Sequence, residues 1–397
     1  MRESSNLDSV IVVGGGIGGL SAALALAGAG LQVRVLERAQ VAGEIGAGMQ
    51  LGPNAFHAFD ALGIGPAARS RAVYIDCLQM MDALDGAEVV NIPTGEAFRE
   101  RFRGPYAVIH RADVHSSLLE GIRARPEIVL ETGVQVERIE QTEQGVRVYT
   151  DRMSYDADAV VGADGGRSVI REQYVGDAPR VSGHVVYRAV VDATHFPDDL
   201  KLNAPVVWAG PDCHLVHYPL RNAEQYNVVV TFHSRHAETW SVTEGSREEV
   251  VSYFTEILPR PRQLIDLPRS WKRWATADRN PIGRWTFGRA TLLGDAAHPM
   301  LQYLAQGACM ALEDAVTLGA AVRAAGGDLV RAFAHYEKSR VARTARVALL
   351  AREMGRIYHA KGVERLVRNQ MWKDRAPERF YDALEWLYGW SPERCLA

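Results

Sequence analysis

The stretch SVIVVGGGIGGLSAALALAGAGLQVRVLER, residues 9–38, decides the fold. Its β-branched run at residues 10–13 is typical of a buried parallel strand. A helical pattern follows at residues 18–29, and a second apolar strand is predicted at residues 33–36. This order of strand, helix and strand predicts the opening unit of an α/β domain.

Three glycines at G-x-G-x-x-G spacing join the first strand to the helix. Gly14 permits the tight turn, Gly16 lets the backbone approach a pyrophosphate at the helix N-terminus, and Gly19 allows the helix to pack closely on the strand. Ile17 lies between these glycines and belongs to the same predicted site. Glu37, about 20 residues further on, can accept hydrogen bonds from ribose hydroxyls. The pattern predicts dinucleotide binding but does not separate FAD from NAD.

Composition excludes several classes of protein. The chain has 397 residues, 47% of them hydrophobic, and a formal net charge of -3. The length indicates two domains or one domain with an inserted lobe. The charge is near balance, so neither nucleic acid nor an anionic membrane is expected as a partner. The four cysteines show no CxxC spacing, so no metal site or disulfide is predicted. No apolar run is long enough to cross a membrane, and we expect a soluble cytoplasmic protein.

The pattern of predicted secondary structure changes twice along the chain. Helix and strand patterns alternate through residue 125, residues 182–274 read as alternating strands of an antiparallel sheet, and the remainder is mostly helical. We therefore expect the sheet-rich part to be inserted into the nucleotide-binding domain. The predicted division is a nucleotide-binding domain at 1–75, 101–181 and 276–340, a substrate domain at 76–100 and 182–275, and C-terminal helices at 341–397.

Two local features of the helices are also predicted. Asp113 precedes a helical pattern and is expected to be its N-cap. Arg340, Arg343 and Arg346 lie in a later helical pattern and are expected to form a solvated helix face.

Two further motifs follow predicted strands. VVGADGGRSVIR, residues 160–171, carries Asp164, and GDAAH, residues 294–298, carries Asp295. Each motif alone is compatible with a simple turn or a helix N-cap. Together with the glycine fingerprint, and in this order, they resemble the single-component (class A) FAD-dependent aromatic hydroxylases, the family that includes 4-hydroxybenzoate and salicylate hydroxylases. The resemblance covers nearly the whole chain.

The resemblance implies an α/β fold with an FAD-binding Rossmann-like domain of the glutathione-reductase type, interleaved with an antiparallel-sheet substrate domain and followed by C-terminal helices. It implies FAD as the cofactor and NADH as the co-substrate, with NADPH left open. The helix that opens at residues 306–308 would offer its N–H groups to the flavin, which suits an anionic reduced ring. The cofactor-binding residues that it implies are Gly14, Gly16, Ile17, Gly19, Glu37, Arg38, Gln50, Arg111, Asp164, Asp295, Gly307 and Ala308.

The family's chemistry implies the other partners, a small aromatic acid and O2. NAD(P)H reduces the flavin, O2 adds as a C4a-hydroperoxide, and the distal oxygen attacks an electron-rich ring. The protein must supply an apolar pocket, a base near the phenol and an anchor for the ring.

The base is sought in PDCHLVHYPLR, residues 211–221. Side chains alternate along a strand, so His214 and Tyr218 share one face while His217 lies on the other. His214 is therefore the predicted base. His217 is the alternative base. The other interpretation is that His214 has its hydrogen bonds satisfied within the sheet and takes no part in catalysis.

Gln302 is an amide in an apolar run, MLQYLAQGA, where many relatives carry proline. This run, with GPDCHLVHYPLR and GPYAVIHR, is most similar to the family members that hydroxylate 3-hydroxybenzoate para to its hydroxyl and yield gentisate. That resemblance implies that Gln302 hydrogen-bonds the substrate or the hydroperoxide, and that Tyr106 and Tyr218 orient the ring and its carboxylate. Gln50 is expected in a glycine-rich loop near the flavin.

Several alternatives remain open. Salicylate 1-hydroxylation and 6-hydroxynicotinate 3-hydroxylation are the nearest ones. A flavin oxidase or dehydrogenase, or a flavoprotein that only senses redox state or a ligand, would share the glycine fingerprint. Arg188 and Arg221 are both candidates to anchor the carboxylate. The C-terminal helices could cover a homodimer interface or cap the fold.

Overall fold

The computed structural model describes residues 9–41 and 48–396. Their strands, numbered in chain order, are β1 (Ser9–Val13), β2 (Gln32–Glu37), β3 (Gly48–Leu51), β4 (Val73–Tyr74), β5 (Cys77–Asp82), β6 (Glu88–Pro93), β7 (Ala107–His110), β8 (Ile128–Thr132), β9 (Val136–Gln141), β10 (Val146–Thr150), β11 (Ser154–Ala157), β12 (Ala159–Gly162), β13 (Arg180–Asp192), β14 (Val206–Gly210), β15 (Cys213–Leu220), β16 (Gln225–His233), β17 (Ser241–Gly245), β18 (Trp271–Asp278), β19 (Thr286–Phe287) and β20 (Ala290–Leu292).

The helices of the same residues are α1 (Ile17–Ala27), α2 (Pro53–Ala61), α3 (Gly65–Arg69), α4 (Glu96–Phe102), α5 (Arg111–Arg123), α6 (Val169–Tyr174), α7 (Arg247–Tyr253), α8 (Pro259–Arg262), α9 (Gly307–Ala325), α10 (Leu329–Tyr358), α11 (Gly362–Met371) and α12 (Pro377–Tyr388). Within the described ranges, none of them combines the length and the apolar character that a membrane span requires.

A six-stranded sheet forms the core of the first layer, in the order β19-β20-β12-β1-β2-β8. All pairs are parallel except β19 with β20. β1 is buried, with α1 and β11 in contact with it, and its valines at 10, 12 and 13 are at most 5% exposed. The predicted α/β fold is confirmed, and the glycine fingerprint lies at the carboxyl end of β1, where ligands of open parallel sheets bind.

A second, eight-stranded sheet has the order β17-β18-β13-β16-β15-β14-β5-β6. Most of its pairs are antiparallel, as the alternating pattern predicts. The expectation of a purely antiparallel sheet is wrong at one place, because β5 pairs with β14 in parallel. β5 and β6 come from residues 76–100, so this early segment completes a sheet that is otherwise built from residues 180–278.

The domain division itself stays a prediction, but the structure shows which elements lie at its boundaries. Position 275 falls inside β18, and position 340 falls inside the 30-residue helix α10. The chain therefore passes both positions without leaving an element.

The basic residues of α10 do not form a solvated face. Arg340 is 1% exposed, and its guanidinium donates to Asp314 Oδ1 and Glu313 Oε2 of α9, both at 2.6 Å. Arg343 also donates to Glu313, at 2.7 Å, and only Arg346 is exposed. The prediction is wrong because the acidic partners lie on a neighbouring helix, which the charge pattern of α10 alone cannot reveal.

Two other local predictions are also wrong. α5 begins at Arg111, and its N-cap is His110, whose Nδ1 accepts a hydrogen bond from the Ala112 N–H at 3.2 Å, so Asp113 lies inside the first turn. Gln50 lies in strand β3, paired with Val108 of β7, and not in a loop. Part of the glycine-rich segment before it, residues 42–47, lies outside the described residues.

The Arg340 contact predicts a large loss of stability in Arg340→Met. A buried ion pair that loses one partner leaves charge uncompensated, so we expect the free energy of unfolding to fall by about 3–5 kcal/mol. Urea denaturation of the FAD-containing protein measures it. Lys338→Met, which removes an exposed cation from the same helix, is the control and should change the value by less than about 1 kcal/mol.

The pH dependence of the free energy of unfolding is a second readout in the comparison of Arg340→Met with Lys338→Met. Burial opposes ionisation of Asp314, but His298 and Arg340 outweigh it and lower the pKa from 3.8 to about 2. A depressed pKa stabilises the fold fully above the unfolded-state value, and this contribution disappears as the pH falls toward 2. If Arg340→Met had the same free energy of unfolding as Lys338→Met, the role given to the ion pairs of Arg340 would be contradicted.

Candidate active site

A cavity of about 690 Å³ lies between the two large sheets, and we call it the active-site cavity. It runs from the loop at the start of α1, past the start of α9, to one face of the eight-stranded sheet. It brings together eleven of the predicted site residues, namely Gly16, Ile17, Gln50, Tyr106, Arg111, His214, Tyr218, Asp295, Gln302, Gly307 and Ala308.

Two fingerprint glycines support the loop without lining the cavity. A Cβ on Gly19 would overlap the carbonyl oxygen of Gly14. Gly14 itself has φ +107°, and a Cβ there would overlap the carbonyl oxygen of Ala163. Both positions therefore require glycine, because the loop, α1 and β12 meet with no room for a side chain.

The acidic residues near the loop already accept backbone hydrogen bonds. Glu37 accepts from the Gly15 N–H at 2.6 Å and from the Ala39 N–H at 2.7 Å. Asp164 accepts from the Val169 N–H at 2.8 Å through Oδ2, while its buried Oδ1 has no partner within the described residues. Burial raises the pKa of Asp164. Arg38 is exposed and does not line the cavity.

Gln302 begins a short 3-10 turn, Gln302–Leu304, that leads to α9. Ala305 follows in the left-handed region with φ 53°, and Gln306 is the N-cap of α9. Both glutamines line the cavity, and the buried Nε2 of each has no hydrogen-bond partner among the residues described. An unpaired buried amide donor is costly, so both are placed to donate to a bound group.

The edge of the cavity near β3 and β7 is aromatic. Tyr106 donates from its hydroxyl to Gln50 Oε1 at 2.9 Å, and its ring meets Tyr388 edge to face. Tyr218 packs so closely on Gly48 of β3 that a Cβ there would lie 2.5 Å from the tyrosine ring. Gly48 is thus needed to seat Tyr218 at the cavity wall.

The face assignment of β15 is confirmed. His214 and Tyr218 line the cavity, whereas His217 points to the other side, where Trp208 Nε1–H donates to its Nε2 at 3.3 Å. Burial, with a smaller contribution from His184, lowers the pKa of His214 to about 3. The imidazole is therefore neutral at pH 7 and offers a lone pair. Burial raises the pKa of Tyr218, so this phenol stays protonated and can donate.

Arg188, on β13 of the same sheet, is one of the arginines that line the cavity, with Arg111 and Arg375. Its guanidinium carbon lies 5.7 Å from the Trp274 ring centroid, and it makes no ion pair with any described Asp or Glu. Burial lowers its pKa. Arg221 is 47% exposed, lies 3.5 Å from Asp113 and does not line the cavity.

The residues present fit FAD. Two helix N-termini, at Gly16–Ile17 and at Gly307–Ala308, face one cavity, and each presents backbone N–H groups without an intrahelical partner. The orphaned Nε2 atoms of Gln302 and Gln306 add two donors beside the second terminus. Such a cavity can hold an anionic, elongated ligand and still leave an aromatic-lined end open.

Sequence reasoning missed some residues of the site. Gly48, Trp274 and His359 carried no motif, and Arg188 was named without being chosen over Arg221. The only early signal for Arg188 was a cation in an otherwise apolar strand, HVVYRAVVDA.

Comparison with known sequences places the chain among flavoproteins. The FAD binding domain family matches residues 8–348. A 3-hydroxybenzoate 6-hydroxylase of Polaromonas naphthalenivorans is 66% identical over 389 residues, which cover 98% of this chain and 97% of the relative. A 3-hydroxybenzoate 6-hydroxylase of Klebsiella oxytoca is 59% identical, with 97% and 98% covered.

Solved structures agree on the fold. Klebsiella pneumoniae HpxO in complex with FAD and uric acid superposes with a TM-score of 0.84 at 26% identity, covering 96% of this chain and 97% of that one. A salicylate hydroxylase substrate complex gives a TM-score of 0.83 at 24% identity, with 99% and 98% covered.

Proposed function

Since the chain belongs to the FAD binding domain family together with 3-hydroxybenzoate 6-hydroxylases, and is an FAD-dependent aromatic monooxygenase, we propose that it converts 3-hydroxybenzoate to gentisate. NADH or NADPH and O2 are consumed with the substrate, and one atom of O2 enters the ring while the other leaves as water. The bound FAD supplies the activated oxygen, and the residues of the chain do the rest.

One observation carries this proposal. The wall that faces the starts of α1 and α9 presents the neutral imidazole of His214 and the guanidinium of Arg188, which has no acidic partner among the described residues. A small ring with one hydroxyl and one carboxylate complements both groups. An amine or alcohol substrate of an oxidase would leave the guanidinium without a counter-charge.

His214 would act on the hydroxyl. A phenol has a pKa near 10, judging by tyrosine, and is protonated at pH 7. The neutral imidazole accepts the phenol O–H, which enriches the ring carbons ortho and para to the hydroxyl. The para carbon is the one that becomes hydroxylated in gentisate formation.

Arg188 and Tyr218 would hold the carboxylate. They lie close enough for the charge of Arg188 to act on the phenol of Tyr218. A guanidinium and a hydroxyl both donate to a carboxylate, and charge-assisted hydrogen bonds of this kind are strong. Tyr106 and Gln302 would then border the ring itself, with Gln302 on the side of α9.

Three further predictions concern the oligomeric state, the location and the nicotinamide co-substrate. We propose a homodimer whose interface the C-terminal helices cover, and a cytoplasmic location, which the composition of the sequence predicts. NADH is the co-substrate that the resemblance implies, with NADPH as the alternative.

The proposed substrate is tested by product analysis. The FAD-containing protein is offered 3-hydroxybenzoate, salicylate and 6-hydroxynicotinate in turn with NADH and O2, and products are separated by chromatography. We expect gentisate from 3-hydroxybenzoate as the main reaction. Catechol from salicylate, with no gentisate from 3-hydroxybenzoate, would overturn the proposal in favour of salicylate hydroxylation.

The base is tested by His214→Gln. We expect hydroxylation to fall by about 10²-fold, as for loss of a general base, while FAD stays bound. His217→Gln is the matched control, because that imidazole faces Trp208 on the opposite side of β15. Equal rates in both variants would remove the role assigned to His214.

The amide is tested by Gln302→Ala. Loss of a hydrogen bond to the reacting centre costs about 1.5 kcal/mol, so we expect product formation to fall about 10-fold while NADH oxidation continues and releases peroxide. The ratio of peroxide to product measures it. Gln263→Ala, at an exposed position of a 3-10 turn, is the control, and an unchanged ratio in Gln302→Ala would assign Gln302 to packing alone.

A further inference from the structure

The face of the eight-stranded sheet that carries His214, Tyr218 and Arg188 is called here the substrate wall. A second cavity, of about 340 Å³, lies next to this wall at His214, and we call it the side cavity. His184, His233 and His359 line it, together with Arg356, Lys361 and Glu364. Lys361 and Glu364 are exposed, so the side cavity reaches the protein surface.

A hydrogen bond between two histidines joins the two cavities. Nδ1 of His214 lies 2.8 Å from Nε2 of His359, the residue that caps the end of α10. His214 lines the active-site cavity and His359 lines the side cavity. The outer ring nitrogens, Nε2 of His214 and Nδ1 of His359, make no hydrogen bond within the described part of the chain, so each end of the pair is free to exchange a proton.

Aromatic side chains surround this hydrogen bond and separate the two cavities. The rings of Tyr303 and Tyr358 lie 5.6 and 5.4 Å from the His214 ring, centroid to centroid. Burial raises the pKa of both phenols, so neither loses its proton at neutral pH. A second polar contact also joins the two cavities, between the hydroxyl of Tyr303, which lines the active-site cavity, and Nδ1 of His184, which lines the side cavity, at 2.5 Å.

We propose that His359 is a positioning residue that carries the substrate's phenol proton out of the active-site cavity. The phenol gives its proton to His214 Nε2, and His214 Nδ1–H passes to His359 Nε2. His359 Nδ1–H then passes to solvent in the side cavity, where the carboxylates of Asp212 and Glu364 stand as acceptors. Each imidazole ends neutral in its other tautomer, and the reverse sequence restores both when the product leaves.

The surroundings of His359 favour passage over storage of the proton. Burial, followed by His214, His184 and His233, lowers the pKa of His359 well below its usual range. Arg180 and Arg352, which also line the side cavity, add positive charge, while Asp278 pairs with both. A cation at His359 is therefore short-lived, which suits a group that transfers a proton and does not hold it.

This proposal rests on the proposed function, because it needs a phenolic substrate beside His214. The test mixes the FAD-containing protein with 3-hydroxybenzoate in weak buffer without NADH and follows proton release with a pH-indicator dye in a stopped-flow instrument. The wild type should release a proton to solvent on binding. His359→Gln keeps an acceptor for His214 Nδ1–H but has no second tautomer, so we expect release to slow by about 10²-fold while the substrate Kd changes little.

Two variants serve as controls. His233→Gln removes a histidine of the side cavity that lies outside the His214–His359 bond, and it should release the proton as fast as the wild type. His359→Ala should be slow and should regain speed when imidazole is added, since the side cavity opens to the surface. Recovery of the rate with imidazole would show that His359→Ala has lost the relay and kept its fold.

The outcomes distinguish the relay from the substrate assignment. A wild type that forms no gentisate refutes the proposed function. A wild type that forms gentisate while His359→Gln releases its proton at the same rate refutes the relay, as does a wild type that forms gentisate but releases no proton on binding. Slow release in Tyr303→Phe with normal release in His359→Gln would assign the route to the Tyr303–His184 contact and likewise refute the proposal.

Discussion

Arg340 lies between two adjacent carboxylates of α9, and the GDAAH loop and the start of α9 are both attached to that trio. Asp314 accepts from the Gly294 N–H at 3.0 Å and contacts His298, so it holds the GDAAH loop. Glu313 accepts from Asn54, whose amide also donates to Gln306, the N-cap of α9. The charge at the centre of the helical layer therefore sets where the positive end of α9 points.

The features that sequence predicted well are local or periodic. The glycine fingerprint specifies its turn through contacts within a few residues, and the two-residue period of β15 separates His214 from His217 whatever the sheet packs against. The predictions that failed depend on partners far along the chain. Arg340 looks like a surface residue until α9 supplies its carboxylates, and Gln50 looks like a loop residue until β7 pairs with its strand.

The residues of the active site divide in the same way, into those that local sequence predicts and those whose partners lie far along the chain. Residues inside motifs, such as Asp295 and Gly307, could be located at the cavity from the resemblance of those motifs to the hydroxylase family. His359 could not, because its contact with His214 spans 145 residues and its own surroundings in the sequence are those of an ordinary helix end. Arg188 was visible as a cation in an apolar strand, but its place in the cavity wall and its lack of an acidic partner within the described residues are what separate it from the surface-paired Arg221.

The parallel pair of β5 with β14 has a consequence for how the protein forms during synthesis. β5 ends at Asp82 and β14 begins at Val206, so the edge β5–β6 hairpin must wait for more than a hundred residues before its partner strand exists. Contacts of such separation close slowly. Until then β5 presents an unpaired edge, the kind of surface on which nascent chains aggregate. The sheet that forms the substrate wall therefore cannot be completed until the growing chain has reached the end of β18 at Asp278.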